Sequence, residues 1–339
     1  MGRTSRMDRT RRILMAAVAA ALCLSLPEGS ITRAASAAAD SRRPVYVVLF
    51  THIEDNTPAG ALGTPASRTA YLNLRDRLLE MGRVAQLHGV RWSLEPDWKF
   101  LLAAQQYEDT ALMSTTEGVN VLRYLRDVLG AAIDPHSHEG SGYNYTDVAY
   151  LLETLGAGGS AVIGGHIWDP TLPQFQEWDR FREPLRGQRY PAALWRGEIL
   201  MGSGTPNHVN DPTISGVWRP KNRSDYFTDD PSGNIACVGA FRGDLSGIAE
   251  LSDLYRSEGI GGDCMLTSTY AIRPVDLLGA GGVSVIEDSV IRPLADLRDR
   301  GDVVLTDFTA LVATWKTEFG GRSCTYDLTP GHLTAVPGR

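Results

Sequence analysis

Lysine is scarce in this chain: Lys99, Lys221 and Lys316 are the whole set among 33 basic residues. That scarcity reflects genome composition more than function. Beyond the N-terminal arginines there is no Lys/Arg run, and the formal net charge is −7. Setting aside residues 1–37, with six Arg and two acids, takes the charge to −11. A net-acidic chain without a basic stripe is a poor nucleic-acid binder. Cysteine is also sparse, at Cys23, Cys237, Cys264 and Cys324. A disulfide-stapled miniature fold is therefore excluded, and a domain of about 300 residues does not need one to supply its core. Three thiols beyond the N-terminus allow three pairings, or none, and spacing does not choose. No apolar run after the N-terminus is long enough to span a bilayer. There is no internal repeat and no long linker.

The N-terminus has a separate character. Arg3, Arg6, Arg9, Arg11 and Arg12 precede an apolar stretch from Ile13 to Leu26, and Ala35-Ser36-Ala37 offers a small-x-small cleavage site. This pattern predicts an export signal over 1–37 and a secreted or extracytoplasmic protein without a stable membrane anchor. Thr10-Arg11-Arg12-Ile13-Leu14 partly matches a twin-arginine signal, and Cys23 lacks a good lipobox. Residues 38–339 then read as one domain.

Apolar runs of strand type alternate with helical periodicity along that domain. Strands are predicted at 45–51, 90–94, 131–134 and 160–163, with helices at 66–88, 97–107, 117–129 and 147–155 between and after them. Residues 186–233 are rich in Pro, Gly, Asn and Trp and predict an irregular insertion of loops and short strands. The rhythm returns with strands at 234–241, 263–267 and 302–305 and helices at 245–258, 283–300 and 308–318. About seven β/α units result, the signature of an α/β fold with parallel strands.

The chemistry-bearing residues stand at strand ends. Val47-Val48-Leu49-Phe50-Thr51 runs straight into His52-Ile53-Glu54-Asp55. Carboxylates beside a core strand are costly unless a metal, a cation or a substrate uses them. Asp134-Pro135-His136-Ser137-His138-Glu139 ends another strand in the same way. In extended backbone, positions i and i+2 share a face, so His136 and His138 can meet one cation, as can His52 and Glu54. Two imidazoles, a carboxylate and a water make a common catalytic zinc shell. Asp55 becomes a ligand only if the strand ends or twists by residue 54. The C-terminal ends of parallel strands are also where such folds build their active sites.

These two segments resemble the motifs of the polysaccharide deacetylases, the NodB-like carbohydrate esterases. In that family a first acid is the catalytic base and a second is a metal ligand, and a histidine segment supplies two more ligands. The resemblance implies Glu54 as base, with Asp55, His136 and His138 holding a divalent metal, zinc the first choice, and His52 as an alternative ligand. It also implies a deformed (β/α)7 barrel, here with an elaborated loop region after the fourth unit. An Arg-Pro motif of the family is matched by Val217-Trp218-Arg219-Pro220, and equally by Ile272-Arg273-Pro274 and Ile291-Arg292-Pro293. Two departures stand out. The family's paired histidines are four apart, whereas position 140 here is Gly, and its closing Leu-His-Asp becomes Leu305-Thr306-Asp307. His166, after another strand, is the candidate to replace that missing acid, with His208 less well placed. Trp168, Trp218, Tyr143 and Arg219 are candidate substrate contacts.

The expected activity is a metal-dependent hydrolase acting on a carbohydrate, a cell-wall glycan or an N-acyl amino sugar. A metal-free glycoside hydrolase using Glu54 or Asp55 with Glu139 is one alternative. A carbohydrate-binding barrel that has lost catalysis is another, and a phosphoesterase with a His-x-His centre a third.

Overall fold

Strand β1 (Val45–Ile53) is the axis of the structure, a computed structural model that describes residues 44–166, 177–201, 214–240, 243–260, 262–329 and 332–335. The proposed signal, Trp168 and His208 lie outside the described residues. Side chains alternate across a strand, and β1 has an apolar layer on each face. Val45, Val47, Leu49 and Ile53 join the larger core, against helix α1 (Pro65–Leu87). Tyr46, Val48 and Phe50 face a second cluster with Phe308 and Trp315. Such two-sided burial explains the unbroken apolar run, as expected of a central parallel strand.

Three strands pair with β1, all parallel. Strand β2 (Ser93–Pro96) lies along its C-terminal half, with His52 opposite Glu95, and β3 (Ala132–Ile133) follows β2, with Leu94 opposite Ile133. Strands Thr267–Ala271 and Val303–Thr306 complete this five-stranded sheet. A second sheet contains β4 (Val162–Ile163), β5 (Ile199–Met201) and Ala236–Val238 in parallel, with Val217–Trp218 antiparallel at its edge. A parallel bridge between His136 and Gly164 links the two sheets. The α/β class with parallel strands thus stands. Among the described residues the ladder does not close into a barrel. Where the last gap falls, side chains replace backbone pairing: the Ser215 hydroxyl accepts from Thr267 N, and the Thr267 hydroxyl reaches the Gly216 and Gly239 carbonyls.

The helices start on polar caps. Thr64 accepts from Ser67 N ahead of Pro65, Asp97 opens α2 (Trp98–Tyr107), and Asn144 with Asp147 forms a capping box on α3 (Tyr145–Thr154). No described helix is long and apolar enough to cross a membrane.

β5 is one of the short strands expected within 186–233, and one strand differs from the sequence reading. The strand expected at 263–267 begins at Thr267 instead. Its Thr267-Ser268-Thr269 looks like a turn in sequence but is buried.

Cys264 and Cys324 form a disulfide with Cα atoms 5.4 Å apart, while Cys237 is free and buried against the Tyr226 hydroxyl. The bridge spans 60 residues. Chain-entropy arguments give a loop of that length about 4 kcal/mol. Replacing both cysteines by serine should therefore lower the urea midpoint of unfolding by a corresponding margin, and an unchanged midpoint would show that the bridge contributes nothing.

Candidate active site

Because Phe50 faces the second cluster, His52 and Glu54 continue on the same side, at the C-terminal end of β1. The strand ends at Ile53, and Glu54 leads into the turn. The Phe50 and His52 rings lie 4.6 Å apart. From β2, Glu95 points to this same side, and beyond β3 so do Asp134 and His136. One row of parallel strands thereby assembles carboxylates and imidazoles at a common height.

The contacts are short. Glu54 Oε2 lies 3.2 Å from His136 Nε2 and 3.1 Å from His138 Nε2. The His52 and His136 rings stack with centroids 4.3 Å apart. His136 Nδ1 is 3.1 Å from the Gly164 carbonyl. Asp55 is more remote, its Oδ1 3.9 Å from His138 Nδ1. A cavity of about 310 Å3 opens over this group, lined by His52, Glu54, His136, His138 and Gly165, with Ile272 and Arg273 on its opposite wall. Gly165 has φ +72°, and a Cβ there would sit 2.2 Å from His136 Nδ1. Only glycine lets the backbone pass this close to the imidazole.

Electrostatics follow from burial and from the crowding of charge. Burial opposes ionisation of Glu54, but the hydrogen bond from His136 and the charges of three histidines outweigh it and hold the carboxyl at about 2. The His136 imidazole moves up, because its bond to Glu54 overcomes burial. His52 and His138 move down, through burial and then repulsion from His136. Burial pushes Glu95 up to about 8 and Asp97 up to about 6.

Donors fit for a divalent ion converge twice: His52 with Glu54 and His136, and Asp97 with His136 and His138. Both sets combine imidazole nitrogen with carboxylate oxygen, the chemistry that first-row metals favour. The two differ in what their carboxylates already do. Asp97 caps α2 through Oδ1 and accepts from His138 N through Oδ2, whereas among the described residues the Glu54 carboxylate pairs with imidazoles. The first set is the freer one.

The remaining expected residues are not brought to the cavity. His166 is buried beside Phe181 and Tyr145, and burial together with Arg180 pushes it down to about 3, which keeps the imidazole neutral. Trp218 is wholly enclosed and donates to the Tyr226 carbonyl. Arg219 is occupied by a two-point bond to Asp229, with its guanidinium over Trp315. Tyr143 is 8% exposed and stacks on Trp98 at 4.7 Å.

Glu95 and Asp97 are the residues that sequence reading passed over. Their signal was present: Glu95-Pro96-Asp97 follows an apolar strand, just as Glu54-Asp55 does. The strand expected at 90–94 stops short of them, although Glu95 and Pro96 lie within β2.

No family model and no curated protein matches this sequence. Solved structures do resemble it. PuuE allantoinase is similar with a TM-score of 0.46 and 11% identity, over 82% of this chain and 93% of that one. A protein from Pseudomonas aeruginosa PAO1 assigned as a polysaccharide deacetylase has a TM-score of 0.46 and 9% identity, over 82% and 92%. Another so assigned, from Mycobacterium smegmatis, has a TM-score of 0.45 and 10% identity, over 82% and 92% of the two chains.

Proposed function

We propose that this chain is an exported, metal-dependent hydrolase that removes acyl groups from a carbohydrate or an amino sugar. The observation that carries the reading is the position of Glu54, whose Oε2 lies within 3.2 Å of two imidazole nitrogens at the floor of an open cavity. His52, Glu54 and His136 would hold the ion, and two nitrogens and one oxygen suit zinc. When bound, such an ion supplies Lewis acidity, activating a water and polarising a carbonyl.

The chain's own residues do the rest. His138, 48% exposed at its side chain, lines the cavity and can move a proton between water and a leaving amine. Asp55, 3.9 Å from the other nitrogen of that ring, acts on it through charge rather than a hydrogen bond. This division gives Glu54 the ligand's part that the motif resemblance assigns to Asp55, and gives the base's part to His138. The sequence likeness of these two strand ends to the deacetylase motifs supports an acylated sugar as substrate. A metal-free glycosidase is less well supported, because Glu139 is held by Arg180 at 2.7 Å. Export is supported by the arginine-rich start followed by an apolar stretch, and by the Cys264–Cys324 bridge, which suits an oxidising compartment. The His136–Gly164 bridge between the sheets supports reading them as parts of a deformed barrel.

The test is metal analysis of the purified full chain, combined with acetate release from N-acetylated chito-oligosaccharides before and after chelation. A single divalent ion per chain, with activity lost on chelation and restored by zinc, is expected. A metal-free protein whose hydrolysis ignores chelators would overturn the reading.

A further inference from the structure

Glu95 has no place in the ligand set, yet its burial demands a reason. Its side chain is fully enclosed, and its Oε2 lies 2.8 Å from His52 Nε2. That contact lacks hydrogen-bond geometry: among the described residues neither Glu95 oxygen nor His52 Nε2 has a hydrogen-bond partner. Leaving a carboxyl in the interior without partners costs several kcal/mol, roughly. The fold nonetheless makes room for it. A Cβ on Gly164 would stand 2.2 Å from Glu95 Oε2, so glycine is what admits the carboxyl at that point. The parallel register of β1 and β2 sets His52 directly opposite Glu95. The contact is thus built by the sheet rather than by a mobile side chain.

We propose that Glu95 is a positioning residue that orients His52 toward the metal centre; this rests on the function proposed above. The two histidines are then held in complementary ways. His136 turns Nδ1 to the Gly164 carbonyl and presents Nε2 to Glu54. His52 turns Nε2 to Glu95 and keeps Nδ1 as its other nitrogen. An imidazole that binds a cation through one nitrogen carries its proton on the other, and a carboxylate accepting that proton fixes both tautomer and ring plane. Glu95 stands where it can meet that need, on the strand next to His52, once a small turn of the ring brings Nε2–H into line with Oε2.

The experiment measures zinc affinity of the full chain by competition with a chromophoric chelator, with long-range 1H–15N spectra of the metal-free protein at pH 9, above the value of about 8 to which burial raises Glu95, reporting the His52 tautomer. Glu95→Gln keeps the volume and removes the charge. It should weaken zinc binding by roughly 10–100-fold without changing stoichiometry, and His52 should lose its preference for the Nε2–H form. A merely structural role would lower the melting temperature of the metal-free protein and leave the tautomer alone. If Glu95→Gln fails to fold, Glu95→Leu, which removes the buried carboxyl outright, provides the same readings. Wild-type affinity and tautomer in the variant would overturn the role of Glu95 while leaving the metal site intact. A wild-type chain that binds no zinc would instead overturn the proposed function, and this inference with it.

Discussion

Alanine in place of His136 is expected to weaken metal binding by ~100-fold or more, so that the ion is lost on dialysis and hydrolysis with it. The residue is common to both sets of converging donors, so no choice of the remaining ligands spares it. Zinc sites release about 10–16 kcal/mol on binding, or roughly 3 kcal/mol for each of about four donors, so losing one weakens affinity by ~100-fold or more. Neighbouring substitutions separate the two sets. If the ion sits among His52, Glu54 and His136, then His52→Ala should weaken binding by a similar factor. His138→Ala should leave affinity near that of the wild type and slow turnover instead. The opposite outcome, with His138→Ala losing the metal and His52→Ala retaining it, would move the ion to the Asp97 side. Metal content after dialysis, measured by mass spectrometry, distinguishes these results. Folding is not at stake in the same way, because His136 contributes one bond to the Gly164 carbonyl and a bridge between sheets.

What could be read from sequence was whatever repeats along one element. β1 is legible because both of its faces are buried, which leaves an unbroken apolar run, and its end is legible because polarity changes at one residue. The pairing of Glu54 with His136 and His138 could be guessed from two such ends. The helices were legible for a similar reason: a 3.6-residue period extends over many turns, as in α1, where Tyr71, Leu74, Leu78 and Met81 are all buried.

What could not be read depends on register between elements far apart in sequence. Glu95 matters because β2 sets it opposite His52, and nothing in residues 90–97 records that alignment. The same holds for Arg219. Its Arg-Pro context resembled a functional motif, but Asp229, ten residues on, occupies its guanidinium. Trp218 looked like a sugar platform and is instead a core ring, since an aromatic residue carries the same signature in either role. The Cys264–Cys324 pairing likewise needed the fold, because three thiols leave the choice open.

The largest stability loss expected from a single exposed-looking residue is at Glu108. In sequence it follows α2 as an ordinary acid, yet its side chain is 3% exposed and that of its partner Arg75 is 2% exposed. Arg75 lies on the buried face of α1, between Tyr71 and Leu78, where an amphipathic pattern would place another apolar side chain. Its Nε donates to Glu108 Oε1 at 2.7 Å, and Nη2 reaches the Leu112 carbonyl and the Thr116 hydroxyl. The Tyr71 hydroxyl donates to the same carboxylate oxygen at 2.7 Å. Glu108→Ala would strand a buried guanidinium and a buried phenol together. Breaking a buried pair from one side costs about 3–5 kcal/mol, whereas exchanging both partners for apolar groups of similar volume is often neutral. The double variant Arg75→Met/Glu108→Leu should therefore unfold closer to the wild-type midpoint in urea than Glu108→Ala does. That ordering separates a penalty for uncompensated charge from a net gain contributed by the pair. If the double variant proved less stable than Glu108→Ala, the ion pair itself would be stabilising, and Arg75 would have to be regarded as an organiser of the α1–α2 packing rather than as a charge the core tolerates.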